Sequence, residues 1–240
     1  VRAAARGEAP GIVVAARGET LAAAAGAVPV GARGARARPT ASRALQTYPF
    51  ALRAHAFAGR RIREGALGEV LAEARAGRVL FVKPRETEKL FTGVVVGGEQ
   101  GDACAADALA RLDPATPVWV SDAVRFAAEY RVYVADGVAR ACVCYEGDET
   151  THPADAGAIA AMVAALSAAA GENVAGYSLD VGVVERSAGG EGGERATVLV
   201  ECNDGLALGL YPGCPAEVYV DVLVARWREL ASSIGERAHH

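Results

Sequence analysis

Between residues 44 and 76 apolar side chains recur at helical spacing, with Leu67, Val70, Leu71 and Ala74 on one face and Gly77 as a stop signal. The pattern predicts a helix over 44–76, with Tyr48-Pro49 near its start. It then changes to short β-branched runs at 78–83 and 92–96 on either side of a polar connection, which predict two antiparallel strands and a mobile loop. A short helix over 102–112 and a strand over 117–121 follow.

The next segment, 129–145, reads as a hairpin because Asp136-Gly137 favours a two-residue type I′ turn. An uninterrupted ladder from that turn sets Arg131 opposite Cys142 and Glu129 opposite Cys144, all four on one side. Residues 155–171 carry Ile159, Met162, Val163 and Leu166 on one helical face, with Gly171 at the C-terminal end. A second hairpin is expected from strands 177–185 and 195–203, joined by a Ser/Gly/Glu-rich loop. A closing helix over 216–232 places Tyr219, Val222, Leu223, Trp227 and Leu230 in one stripe.

Composition narrows the function. With 52% hydrophobic and 22% charged residues the 240-residue chain can form a real core. Its longest nearly unbroken apolar run, 158–171, is too short to span a bilayer, so a soluble protein is expected. A net charge of −4 provides no global basic field for nucleic acid or an acidic membrane surface, and both partners are disfavoured. Five cysteines without a C-x-x-C spacing indicate neither a disulfide framework nor a zinc site, and point to reduced thiols in the cytoplasm. Cys142 and Cys144 read as packed side chains rather than metal ligands. Residues 1–44, rich in Ala and Arg, read as a loosely ordered leader rather than a targeting signal. His239 and His240 carry no weight.

The chain uses 23 arginines but only two lysines, Lys83 and Lys89, six residues apart. An ammonium is a compact point charge whereas a guanidinium is a wide planar fork, so two lysines together suggest a place where the fork does not fit. Asparagine is as rare, present only as Asn173 and Asn203. If the second hairpin loop is centred symmetrically, Asp180 lies directly across from Glu201, with Asn203 on the same face about 6.6 Å along the strand. Opposed carboxylates repel unless a cation or proton lies between them. An all-oxygen donor set suits magnesium, which completes its shell with waters and substrate phosphates; the alternative is a solvated outer face. Lys83, Lys89 and Arg131 add the cations that a nucleoside triphosphate requires. There is no P-loop motif and no kinase signature, so another ATP fold is needed.

Six segments in order then resemble a known family: Phe-Val-Lys-Pro at 81–84, Lys-Leu-Phe-Thr-Gly at 89–93, Val-Trp-Val-Ser at 118–121, Glu-Tyr-Arg-Val-Tyr-Val at 129–134, Leu-Asp-Val-Gly-Val at 179–183 and Val-Glu-Cys-Asn-Asp-Gly at 200–205. Together, over about 48–230, they look like an ATP-grasp domain, most of all the R2K clade. The resemblance implies an α+β, two-lobed fold whose antiparallel sheets clamp ATP. The lobes would be residues 45–121 and 122–233, with 1–44 a leader and 234–240 a tail. Lys83 would contact the phosphates, and Lys89 with Thr92 and Gly93 would cover them. Trp119, Val120 and Ser121 would form the hinge strand along which adenine lies. Arg131 would meet the terminal phosphate or an acyl phosphate, while Asp180, Glu201 and Asn203 would hold Mg2+. The phosphate loop is shorter than in many members, which departs from the family pattern.

The activity so implied is ATP- and magnesium-dependent ligation, in which a small-molecule or peptide carboxylate is activated as an acyl phosphate for attack by an amine. An ATP-binding or phosphotransfer module without ligase activity is the alternative, and a non-enzymatic interaction domain is a third.

Overall fold

The computed structural model describes residues 45–85, 90–99, 101–186 and 194–237, with side chains described as far as residue 232. The chain is α+β and builds two antiparallel sheets of four strands each. The first sheet contains β1 (Ile62–Ala66), β2 (Leu80–Pro84), β3 (Val94–Val96) and β4 (Pro117–Asp122) in the order β1-β4-β2-β3. Strand alternation sends Leu80, Val82, Val118 and Val120 to one face. There they pack against Leu67, Val70, Leu71 and Ala74 of helix α2 (Leu67–Arg75) and Leu109 of α3 (Ala103–Leu109). Phe81, Lys83, Trp119 and Ser121 occupy the other face, toward the second sheet.

The second sheet contains β5 (Ala128–Ala135), β6 (Val138–Gly147), β7 (Gly176–Arg186) and β8 (Glu194–Asp204) in the order β6-β5-β7-β8. Tyr130, Val132, Val134, Leu179, Val181 and Leu199 point to one face. They form a core with Ile159, Met162, Val163 and Leu166 of α4 (Ala156–Ala168), joined by Tyr48, Leu52 and Trp119. The Asp155 carboxylate caps α4, accepting from Gly157 N at 2.7 Å and Ala158 N at 3.2 Å. On the opposite face Tyr133, Ala135, Ala141 and Val143 meet Val222 and Ala225 of α5 (Ala216–Arg237). That helix covers only part of its face, and the uncovered part carries Glu129, Arg131 and Asp180. Among the described residues no helix is long and apolar enough to cross a membrane.

Two sequence expectations need correction. The single helix over 44–76 is instead a 3-10 turn at Phe50–Leu52, a one-turn helix α1 at His55–Ala58, strand β1 and then α2. Gly59, in the left-handed region at φ 64°, ends α1 and turns the chain into β1. The helical spacing that motivated the expectation begins only at Leu67.

The first hairpin does turn at Asp136-Gly137, both with positive φ (51° and 74°). Its ladder is nevertheless interrupted, since Val134 pairs with Ala139 while Tyr133 pairs with Ala141, leaving Arg140 as an extra residue. Partners from Tyr133 to Tyr130 are shifted by one, and a second irregularity, between Tyr130 and Glu129, shifts the rest by one more, so that Glu129 pairs with Glu146. Arg131 therefore faces Val143, whereas Cys142 and Cys144 oppose Val132 and Tyr130 on the core side.

Close approach of α5 to β7 depends on Gly176, where a Cβ would lie 2.2 Å from the Val222 carbonyl oxygen. Gly176→Ala is expected to push the helix off the sheet and destabilise the protein by about 1–3 kcal/mol. Gly209→Ala, which would meet nothing within 4 Å, is the control; equal urea midpoints for the two variants would contradict this packing.

Candidate functional site

Four strands from both sheets bring five of the expected residues together. The register of β7 and β8 pairs Asp180 with Glu201 and Ser178 with Asn203, and that of β5 and β7 pairs Arg131 with Asp180. Lys83 reaches across from β2 and forms an ion pair with Glu201, linking the first sheet to the second.

The opposed carboxylates therefore do not face each other uncompensated. Asp180, only 2% exposed, receives the Arg131 guanidinium in bidentate fashion, Nε to Oδ1 at 2.8 Å and Nη2 to Oδ2 at 2.6 Å. Burial pushes the Asp180 carboxyl above its usual range, against the pull of Arg131. The guanidinium loses hydration too, yet its bonds to Asp180 outweigh that loss and hold its pKa above the ordinary value.

Asn203 Nδ2 donates to Asp180 Oδ2 at 3.2 Å and to Ser178 Oγ at 3.4 Å. Because a carboxylate oxygen only accepts, this contact fixes the amide orientation.

Lone-pair accounting tests whether a divalent cation suits this arrangement. Of four acceptor positions on the Asp180 carboxylate, three are taken. Among the described residues, Oε1 of Glu201 and Oδ1 of Asn203 have no hydrogen-bond partner within the protein. Three oxygens from three residues thus retain acceptor capacity, a donor set that fits Mg2+ together with waters and phosphates. No cluster of three or more His, Cys, Asp or Glu side chains able to hold a metal exists among the described residues. A cation here would need Asn203 and ligands from outside the protein.

Aromatic rings frame the cations. The Arg131 guanidinium lies 4.6 Å from the Tyr211 ring centroid, and Tyr211 stacks on Tyr145 at 4.8 Å and 13°. The Tyr145 hydroxyl donates to Glu129 at 2.7 Å, so Glu129 partners Tyr145 rather than lying opposite Cys144. Burial raises the Glu129 pKa, while that hydrogen bond acts the other way. Tyr133 fixes the Tyr211 segment, its hydroxyl donating to Gly209 O at 3.0 Å and accepting from Tyr211 N at 2.9 Å. On the other side, Tyr48 presents its ring to Lys83 at 5.8 Å and meets Trp119 edge-on at 5.4 Å. Burial pushes the Tyr48 hydroxyl up to about 12.

The remaining expected residues fare differently. Lys89 lies outside the described residues. Thr92 is exposed. Gly93 packs tightly against the first sheet, where a Cβ would come 2.5 Å from the Phe81 ring and 3.3 Å from Lys83 Cβ.

Trp119, Val120 and Ser121 are the residues expected to form the hinge strand along which adenine lies. They lie within β4, whose two edges are hydrogen-bonded to β1 and β2, and all three are buried. A cavity of about 270 Å³ between α2 and α3, lined by Arg75, Gly97, Gly98 and Asp107 among others, lies on the face of the first sheet turned away from Lys83.

Arg60, Tyr48, Tyr145 and Tyr211 were not singled out by sequence reasoning. Arg60 is one arginine among 23, and nothing in its local sequence marks it.

The family model of the ATP-grasp domain, R2K clade family 2, matches residues 57–222. The chain belongs to this family. No curated protein matches the chain. Among solved structures this R2K ATP-grasp chain is similar to D-cycloserine synthetase DcsG, with 17% identity, 78% of this chain and 71% of that chain covered, and a TM-score of 0.47. It is also similar to the D-alanine-D-alanine ligase from Coxiella burnetii, with 16% identity, coverage of 79% and 58%, and a TM-score of 0.44. A third is the ATP-grasp ligase PsnB complexed with a phosphomimetic variant of its minimal precursor, Mg and ADP, with 16% identity, coverage of 75% and 58%, and a TM-score of 0.40. The R2K chain thus spans less than two thirds of the latter two.

Proposed function

We propose that this R2K ATP-grasp chain is an ATP- and magnesium-dependent ligase that activates a carboxylate as an acyl phosphate for attack by an amine. The observation that carries the reading is the meeting of Lys83 and Arg131, from different sheets, with Asp180, Glu201 and Asn203. Two cations and three oxygen donors converge where the sheets approach, which is what binding a metal-chelated triphosphate requires. Family membership supports the same conclusion independently.

In this reading Asp180, Glu201 and Asn203 hold Mg2+, which when bound would neutralise phosphate charge. Lys83 leaves Glu201 and binds phosphate oxygens as a point charge. Arg131, fixed by Asp180 and covered by Tyr211, stabilises the charge that develops on the transferring phosphoryl group. The first lobe, 45–121, would carry the phosphate-binding lysine, and the second, 122–233, the metal site. Small-molecule or peptide carboxylates and amines are the proposed substrates. A cytoplasmic setting belongs to the same proposal and rests on the five free thiols.

The deciding experiment screens carboxylate and amine pairs for ADP release together with formation of a joined product. ADP release with phosphorylated or hydrolysed products only would favour a phosphotransfer module. No turnover with any pair, combined with no nucleotide binding, would remove the reading.

Metal dependence has its own test. Without Mg2+ the triphosphate would meet Asp180 and Glu201 unscreened, so nucleotide affinity is expected to fall when a chelator is present. Equal affinity with and without chelator would eliminate the metal site.

A further inference from the structure

Arg60 is 5% exposed and lies at the junction of the sheets, just before β1. A buried guanidinium ordinarily pairs with a carboxylate, because desolvating an unpaired charge is costly. Among the described residues Arg60 has no ion-pair partner within 4.0 Å. Its acceptors are neutral: Leu199 O at 2.5 Å and Ala58 O at 3.1 Å from Nη1, Val200 O at 3.3 Å from Nη2, and Ser121 Oγ at 3.3 Å from Nε. The rings of Tyr48 and Phe126 flank it at 6.0 and 5.7 Å. Burial lowers its pKa, with Tyr48 and Asp122 opposing.

The identity of those carbonyls is informative. β8 is an edge strand, and its ladder with β7 skips a residue immediately before the site. Asp180 pairs with Glu201 but Val181 pairs with Leu199, leaving Val200 as a bulge. Two of the three carbonyls that Arg60 holds belong to Leu199 and the bulged Val200, directly preceding Glu201. A bulge re-aims the side chains beside it, and a slip of one residue would exchange the faces of Glu201 and Asn203 with that of Cys202, which is in the core.

We infer that Arg60 is a positioning residue that pins the bulge of β8, and thereby keeps Glu201 and Asn203 aimed at the site. It acts on backbone and touches no ligand, and its bond to Ser121 ties this bulge to the first sheet. The inference rests on the reading of Glu201 and Asn203 as magnesium ligands.

The test measures the Mg2+ midpoint for ADP binding by calorimetry in the parent, Arg60→Lys, Arg60→Met and Ser121→Ala, alongside melting temperatures and amide hydrogen exchange. A lysine reaches fewer of the four acceptors, so Arg60→Lys is expected to raise the Mg2+ midpoint about tenfold while ADP affinity at saturating Mg2+ stays within about twofold. Arg60→Met should shift it further, and Ser121→Ala about two- to threefold in the same direction. Amides at 199–203 should exchange faster in Arg60→Lys, with those of β5 unchanged.

A lowered melting temperature with an unmoved Mg2+ midpoint overturns the inference, because Arg60 is then only a packing element. If Arg60→Met fails to fold, Arg60→Lys and Ser121→Ala decide by the same criteria. A parent protein indifferent to Mg2+ sinks the metal reading instead. Exchange at 199–203 then decides whether Arg60 pins the bulge, and unchanged rates overturn it.

Discussion

Replacing Arg131 by alanine is expected to have the largest effect of any single substitution at the site, on the fold as well as on turnover. Asp180 is 2% exposed and loses both hydrogen bonds of its bidentate partner. Breaking a buried pair by removing one member leaves a charge with neither water nor counter-ion, a loss of about 3–5 kcal/mol. Urea denaturation should show this loss, and it should be largely recovered in the double variant Arg131→Ala/Asp180→Ala.

Arg131→Lys separates the catalytic role from the structural one. It retains the charge but not the planar fork, so it should fold. If Arg131 stabilises charge on the transferring group, turnover should fall by a factor equivalent to about 2.7–4 kcal/mol, as for one preorganised donor. Nucleotide affinity should change far less. Parent-like turnover in the lysine variant would end the catalytic assignment, and a parent-like urea midpoint in the alanine variant would end the structural one.

Lys83→Ala should weaken ATP binding by about 1.5–3 kcal/mol, the range for a hydrogen bond to a charged group, or roughly ten- to a hundredfold in affinity. Little stability should be lost with it, since Glu201 is 25% exposed at its side chain and water can replace the ammonium. Lys83→Arg should also impair binding although charge is kept. The ammonium lies between Glu201 and the Tyr48 ring, 5.8 Å away, and the stem packs beside Gly93; a wide fork is poorly accommodated there. Direct titration of nucleotide decides it. Parent-like affinity in Lys83→Arg would remove the argument from rare lysines.

The cross-strand pair of Asp180 and Glu201 agrees with the expectation because two departures cancel: between the loop and the site the ladder runs one residue short of the expected centring, with Glu185 opposite Arg195 and Val181 opposite Leu199, and the bulge at Val200 restores the register at the pair. The bulge at Arg140 was not legible. The segment 138–143 is Val-Ala-Arg-Ala-Cys-Val, and small residues such as Ala and Cys suit either face, so nothing in the pattern registers the extra residue. The ion pair between Arg131 and Asp180 needs β5 beside β7, an adjacency that hairpin arithmetic within one turn does not supply.

β1 has Arg63, Glu64 and Gly65 among its five residues and lacks a strand-like alternation. It pairs all the same with one edge of β4, from Ile62 opposite Ser121 to Ala66 opposite Pro117. With β1 present that edge is used, and the backbone of 119–121 is spent on the sheet.

The recognisable domain and the cooperative folding unit of this chain are not the same stretch of sequence. The matched region begins at residue 57, yet Tyr48 and Leu52 lie in the larger core and the Thr47 carbonyl accepts from Cys202 N at 2.8 Å. Glu172 in turn accepts from the backbone nitrogens of Phe50 and Ala51. Residues 47–60 therefore seal the outer edge of β8, a strand that would otherwise present unpaired backbone groups to any neighbouring chain. A fragment cut at the family boundary would leave that edge open to strand addition and aggregation. The opened edge would be the one carrying Glu201 and Asn203, so self-association would compete directly with assembly of the site.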